Sequence, residues 1–147
     1  MRKTKSAAII TALVILFCMP CCTKKENTDV VEIGEKMFIA QVNDIYLNSD
    51  DYLGKKIKLE GVFKQSTGEE PYYFVIRYGP GCCGNDGLVG FEVAWDKEKA
   101  KPYPAEDSWV EAKGVLKSYE EEGFQLSYID LTSLNVLEKR GAENVTQ

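Results

Sequence analysis

The chain has 147 residues, of which 44% are hydrophobic and 28% charged, as expected for one globular domain with an ordinary core. Its formal net charge is −5, and it becomes −8 when the basic residues Arg2, Lys3 and Lys5 of the N-terminal segment are removed. Nucleic-acid binding requires Lys and Arg to neutralise phosphates, so this acidic body excludes nucleic acid as an expected partner. The chain has no histidine, which excludes Ser-His-Asp and Cys-His catalysis and the usual zinc and iron ligand sets.

Residues 1–22 have the layout of a bacterial lipoprotein-type signal peptide. Three basic residues precede an apolar run over 7–17, which is shorter than the ~20 residues of a membrane-spanning helix. Cysteines follow the run directly and are followed in turn by Thr23 and a polar stretch. This layout predicts cleavage and lipidation at Cys22, or alternatively at Cys21. A short uncleaved anchor and a signal peptide cut elsewhere are the other interpretations.

The export signal predicts both the location and the domain organisation of the protein. Residues 23–34 begin with a polar stretch and are predicted to form a tether, followed by a folded domain over 35–140 and a tail over 141–147. We expect the domain to be attached to the bacterial cell membrane by an acyl chain such as palmitate. It would then face the outside of the cytoplasm, with the lipid membrane as its first partner.

The folded body begins with a helical pattern and continues with strands. Apolar residues at 38, 42, 45 and 46 predict a helix over 35–48, with a strand as the competing interpretation. Five strands are predicted over 55–65, 72–78, 88–95, 108–119 and 124–137. The first and fourth contain mid-strand glycines, Gly61 and Gly114, which let strands coil sharply enough to close a barrel. We therefore predict a mostly β fold, a small five-stranded OB-like barrel with one N-terminal helix, with a small β-sandwich as the alternative.

A glycine-dense connection between the second and third strands is the candidate site. It contains Cys82 and Cys83, the two cysteines that lie outside the export segment, so no long-range disulfide is expected within the domain. A plain hairpin needs only two to five residues, and this connection is predicted to be a longer, irregular loop. The candidate binding residues are Cys82, Cys83, Asp86, Arg77 and Glu92, and the loop backbone is supplied by Gly81, Gly84 and Gly87.

Three interpretations of the cysteine pair remain open at this point. Two thiolates with the carboxylate of Asp86, and that of Glu92, would bind a thiophilic metal such as zinc, although adjacent cysteines are unusual zinc ligands. In an oxidising compartment the same pair would form a strained vicinal disulfide, and hence a redox switch. Alternatively, both cysteines are small apolar fillers beneath the loop. Arg77 would clamp Asp86 or the loop carbonyls, or else lie solvated at a strand end.

Four motifs resemble a known family. They are Tyr52-Leu53-Gly54-Lys55, Phe74-Val75-Ile76-Arg77, the Cys82-Cys83 pair with Asp86, and Trp109-Val110 with Gly114. Over roughly 37–138 the chain resembles the C-terminal domain of the YcgQ-like family of bacterial membrane proteins and lipoproteins. Many genes of that family lie beside a permease gene, so the resemblance implies a permease or another envelope protein as a partner. It implies no settled activity.

The sequence favours a binding protein over an enzyme, because a nucleophilic cysteine without histidine has no evident base. We expect an exported, lipid-anchored protein whose Cys-Cys loop binds a metal ion or small ligand, accessory to an envelope transport system. The alternatives are a redox-active thiol protein that uses a Cys82–Cys83 disulfide, and a structural OB-type interaction module.

Overall fold

The computed structural model describes residues 30–146, in which six β-strands and two α-helices are arranged around one closed sheet. The helices are α1 (Phe38–Leu47) and α2 (Ser49–Tyr52), and single 3-10 turns lie at Glu35–Met37 and Lys97–Lys99. The strands are β1 (Val30–Ile33), β2 (Lys56–Gln65), β3 (Tyr73–Gly81), β4 (Gly84–Ala94), β5 (Trp109–Glu121) and β6 (Phe124–Val136).

Strands β2 to β6 form a closed five-stranded barrel, which confirms the predicted mostly β fold with a short helix. Strand β2 pairs antiparallel with both β3 and β5, and β5 pairs antiparallel with β6. The barrel is closed by an antiparallel pairing of β3 with β4 and by a short parallel pairing of β4 with β6. This order is compatible with an OB-like barrel.

Inward-facing residues of the strands and one face of α1 make a single main core. Phe38, Val42 and Ile45 of α1 are buried at the predicted helical spacing. They pack in the same cluster as strand residues of the barrel, which include Ile57, Leu59, Phe63, Val75, Phe91, Val93, Val110, Leu116 and Ile129. Burial of this apolar surface is the main stabilising contribution to such a fold.

The two mid-strand glycines lie where neighbouring strands approach each other closely. Strand β2 pairs with β1 over its first four residues and with β3 from Val62 onward, so it changes neighbours around Gly61. A Cβ on Gly61 would lie 2.5 Å from the carbonyl oxygen of Ile76, and one on Gly114 would collide with the carbonyl oxygen of Asp130. Any side chain at these positions would push neighbouring strands apart and oppose closure of the barrel.

The folded body extends beyond the predicted boundaries at both ends. Strand β1, placed by the sequence in the tether over 23–34, pairs parallel with β2, and its Ile33 is buried. In the predicted tail, Asn144 forms a bridge with Tyr78, and Val145 is 4% exposed. Both segments are short and pair with residues distant in sequence, so neither shows the long alternating pattern from which strands are predicted.

The N-terminal predictions fall largely outside the described residues. The signal peptide over 1–22, the lipidation sites Cys22 and Cys21, and the tether up to residue 29 all precede the first described strand. From residue 30 to residue 146, no helix is both long enough and apolar enough to cross a bilayer.

Candidate functional site

The cysteine pair lies at the tip of the β3–β4 hairpin. The two strands pair as far as Gly81 and Gly84, which leaves only Cys82 and Cys83 in the turn. The prediction of a longer, irregular loop is therefore wrong. Glycines that face each other across the two strands, Gly79 with Gly87 and Gly81 with Gly84, still form the strand pairing. Gly84 has a φ of +114°, a conformation that favours glycine and brings the chain back into β4.

A β-bulge places Asp86 beside the cysteines. The register shifts between Gly79 and Gly81, so β4 carries an extra residue opposite Pro80. The carboxylate of Asp86 lies over the backbone of Gly81, where a Cβ would collide with it. The backbone N–H of Cys83 donates to Asp86 Oδ1 over 3.4 Å. Because Gly81 has no side chain, there is room for the Asp86 carboxylate at this position.

The three side chains form a compact set of donor atoms. The two Sγ atoms are 3.6 Å apart, and Cys82 Sγ is 3.6 Å from Asp86 Oδ2. Zn–S and Zn–O bonds of about 2.3 and 2.0 Å at a tetrahedral angle give S···S and S···O separations of about 3.8 and 3.5 Å. Both observed separations are close to these values, and one ligand atom from each residue lies within 4.8 Å of the others.

The set is open to solvent. Cys82, Cys83 and Asp86 are all exposed, and both cysteines are free thiols. Three protein donors would leave one position of a tetrahedral ion to water or to an outside ligand. The arrangement therefore suits a metal ion that exchanges, rather than a buried structural one.

The structure does not bring Arg77 to the cysteines. The residue is 2% exposed, and its Nε donates to the carbonyl oxygen of Glu60 over 2.9 Å. Its Nη1 donates to Glu35 Oε2 over 3.3 Å and to the carbonyl oxygen of Ala142 over 3.0 Å. The guanidinium also lies 4.8 Å from the centre of the Phe38 ring. Arg77 therefore organises a separate region, around Glu35 and the C-terminal segment.

Glu35 completes this network from the 3-10 turn. Its Oε2 accepts from the backbone N–H of Ala142 over 3.0 Å as well as from Arg77. These two donors hold the pKa of Glu35 below its usual value of 4.5, and the Ala142 N–H makes the larger contribution.

Glu92 is also separate from the cysteines. It lies eight residues from Gly84 on the same strand, on the order of 25 Å at the rise of an extended chain. Its Oε2 accepts from the hydroxyl of Tyr119 over 2.7 Å. Burial of Glu92 raises the pKa of its carboxyl. Of the predicted ligands, only Cys82, Cys83 and Asp86 are close enough to share one ion.

Comparison with known proteins places the chain in a family. Residues 12–144 match the model of the DUF1980 C-terminal domain. The chain belongs to this family. The match supports the family assignment made from the sequence, while the membrane or lipoprotein context of the DUF1980 domain stays a prediction. A search of curated proteins finds no match.

Proposed function

We propose that this DUF1980 domain binds a thiophilic metal ion such as Zn²⁺ at the β3–β4 tip, through Cys82, Cys83 and Asp86. The observation that supports the proposal is the separation of the donor atoms, 3.6 Å between the two sulfurs and 3.6 Å from sulfur to carboxylate. Adjacent cysteines are unusual in structural zinc sites, which normally enclose the ion with four protein ligands. An exposed site with three ligands and an open fourth position is instead suited to carrying an ion and releasing it.

The location follows from the N-terminal layout and remains part of the proposal. A lipid anchor at Cys22, or at Cys21, would hold the domain at the outer side of the cell membrane. There it would act as a non-enzymatic accessory to an envelope transport system. The exposed hairpin tip is a suitable place to pass an ion to a permease or another envelope protein.

Native mass spectrometry of the purified protein, prepared without chelator or reductant and mixed with one equivalent of Zn²⁺, tests the site. We expect one zinc adduct, lost when Cys82→Ser and Cys83→Ser are combined. Asp86→Asn should weaken zinc binding about tenfold, because an amide oxygen is a poorer ligand than a carboxylate. Asp50→Asn, a change of the same kind at an exposed acid of α2, should leave zinc binding unchanged.

Two other results would count against the proposal. A metal-free mass lower by two hydrogens would mean that an oxidant has taken two electrons and two protons from the thiols to form a Cys82–Cys83 bond. The 3.6 Å contact between the sulfurs keeps this redox function as the second candidate. Zinc binding that survives the double Cys→Ser change would exclude the tip as the site and favour a structural or protein-docking role.

A further inference from the structure

A groove of about 570 Å³ lies on the barrel wall, away from the metal-site residues. Strands β4 and β6 pair only between Glu92–Ala94 and Tyr128–Asp130, and beyond this short pairing they are not hydrogen-bonded to each other. The outer face of β3–β4 forms one side of the groove, and the paired ends of β5 and β6 form the other. Its volume is that of a site for a small molecule.

Aromatic and aliphatic side chains form much of the groove surface. Tyr72, which directly precedes β3, is 40% exposed, and Leu88 on β4 is 65% exposed. Phe74 and Tyr119 line the same groove and are partly buried. Large apolar side chains exposed together around a concave surface are typical of a binding site.

Two carboxylates lie among these rings without a cationic partner. Glu92 accepts from the Tyr119 hydroxyl, and Glu121 accepts from the Tyr72 hydroxyl over 2.8 Å. Between residues 30 and 146, no Lys or Arg forms an ion pair with either acid, and Lys64, which also lines the groove, is paired with Asp107. Burial raises the pKa of Glu92, and the negative charge of Glu121 adds to that effect. The groove thus combines apolar walls with negative charge that no described side chain neutralises.

We propose that this groove binds a small organic ammonium ion with an aromatic or apolar body. The ammonium group would lie between Glu92 and Glu121, and each carboxylate would keep its tyrosine hydroxyl as a second partner. The apolar body would pack on Tyr72 and on Phe74, which pairs with Glu92 across the strands, and the faces of these aromatic rings also attract cations. This binding is independent of the metal site and requires neither cysteine.

Benzylammonium is a suitable probe, because benzyl alcohol has nearly the same shape without the charge. The purified full-length protein, labelled with ¹⁵N, is titrated with each compound near neutral pH, and backbone amide shifts are followed by NMR. We expect shifts centred on residues 88–92 and 125–127 of the groove, with benzylammonium binding about tenfold tighter than benzyl alcohol.

Charge-removing variants then show whether the two acids are responsible. Glu92→Gln and Glu121→Gln keep the side-chain shape and should each reduce the preference for benzylammonium over benzyl alcohol. Glu138→Gln is the matched control, since Glu138 is exposed just past the opposite end of β6 and should leave the preference unchanged. Equal affinity for the two compounds in the unaltered protein would overturn the proposal, as would amide shifts centred outside the groove.

Discussion

The buried guanidinium of Arg77 links three distant parts of the chain. Arg77 comes from β3, Glu35 from the turn before α1, and Ala142 from the segment after β6. Its guanidinium also lies 4.9 Å from the ring centre of Trp109. Burying a charge costs less when the group donates hydrogen bonds and has an ion partner, and Arg77 donates to three acceptors, one of which is the Glu35 carboxylate. Its role is therefore structural, although the strand-end position suggested a role at the cysteine loop.

Replacing Arg77 by methionine tests this role. Arg77→Met removes hydrogen bonds from a charged donor to three acceptors, and it leaves the carbonyl oxygens of Glu60 and Ala142 without that donor. We expect the free energy of unfolding in urea to fall by about 3 kcal/mol. Arg140→Met is the control, because it removes an exposed guanidinium that pairs with Glu143. It should change the free energy of unfolding by less than about 1 kcal/mol. Equal losses from the two changes would contradict the assignment.

At the scale of the element, the β3–β4 hairpin makes the candidate site through its turn and bulge together. The two-residue turn places Cys82 and Cys83 next to each other at the tip, and the bulge brings Asp86 back over Gly81. Neither feature alone would assemble three donor atoms. The hairpin is therefore the smallest unit of this chain that carries the proposed chemistry.

A methyl group at Gly81 would disrupt that unit locally. Gly81→Ala would place its Cβ against the Asp86 carboxylate and 2.8 Å from the backbone nitrogen of Gly87, so the acid and the tip must shift. We expect zinc affinity, measured by calorimetric titration, to fall about tenfold, as in Asp86→Asn. Gly34→Ala is the control, because its Cβ would meet only Gln41 Oε1 at 3.9 Å. Unchanged zinc affinity in Gly81→Ala would show that Asp86 is not a ligand.

Across the whole molecule, both ends of the described chain are fastened to the barrel. Strand β1 extends the sheet beside β2, and the bridge between Asn144 and Tyr78 holds the C-terminal segment against β3. Val145 is buried in the main core, and its backbone N–H donates to the carbonyl oxygen of Tyr78. The network of Arg77 and Glu35 lies between these two ends, so its electrostatics should affect the stability of the whole fold.

Glu35 predicts how stability depends on pH. Its pKa is lowered in the folded protein, so its stabilising contribution is present above the unfolded value of 4.5 and is lost as the pH falls through the lower folded value. Glu35→Gln should therefore unfold at lower urea concentration than the original protein near neutral pH. The difference should shrink below about pH 4.5, because a protonated Glu35 and the glutamine that replaces it are both neutral. A difference that stays constant down to about pH 3 would contradict the predicted titration.

Much of the barrel could be predicted from local sequence. Alternating apolar residues identified β2, β3, β5 and β6 to within three residues at each end, and β4 at its C-terminal end, because inward and outward positions alternate along a strand. The positions of Gly61 and Gly114 indicated where strands would coil. The chemistry of the tip was equally local, since Cys82, Cys83 and Asp86 lie within five residues of one another.

The sequence by itself determined the strand order along the chain, the family resemblance, the absence of histidine and the cysteine–carboxylate set. Only the tertiary structure decided that Arg77 lies beside Glu35 and that Glu92 lies beside Tyr119, far from the cysteines. It also decided that the two chain ends belong to the barrel. The physical reason is that these contacts depend on how the sheet closes, and closure joins residues that are far apart in sequence. The hydrogen bond from Tyr119 to Glu92 spans 27 positions, and the one from Ala142 to Glu35 spans 107.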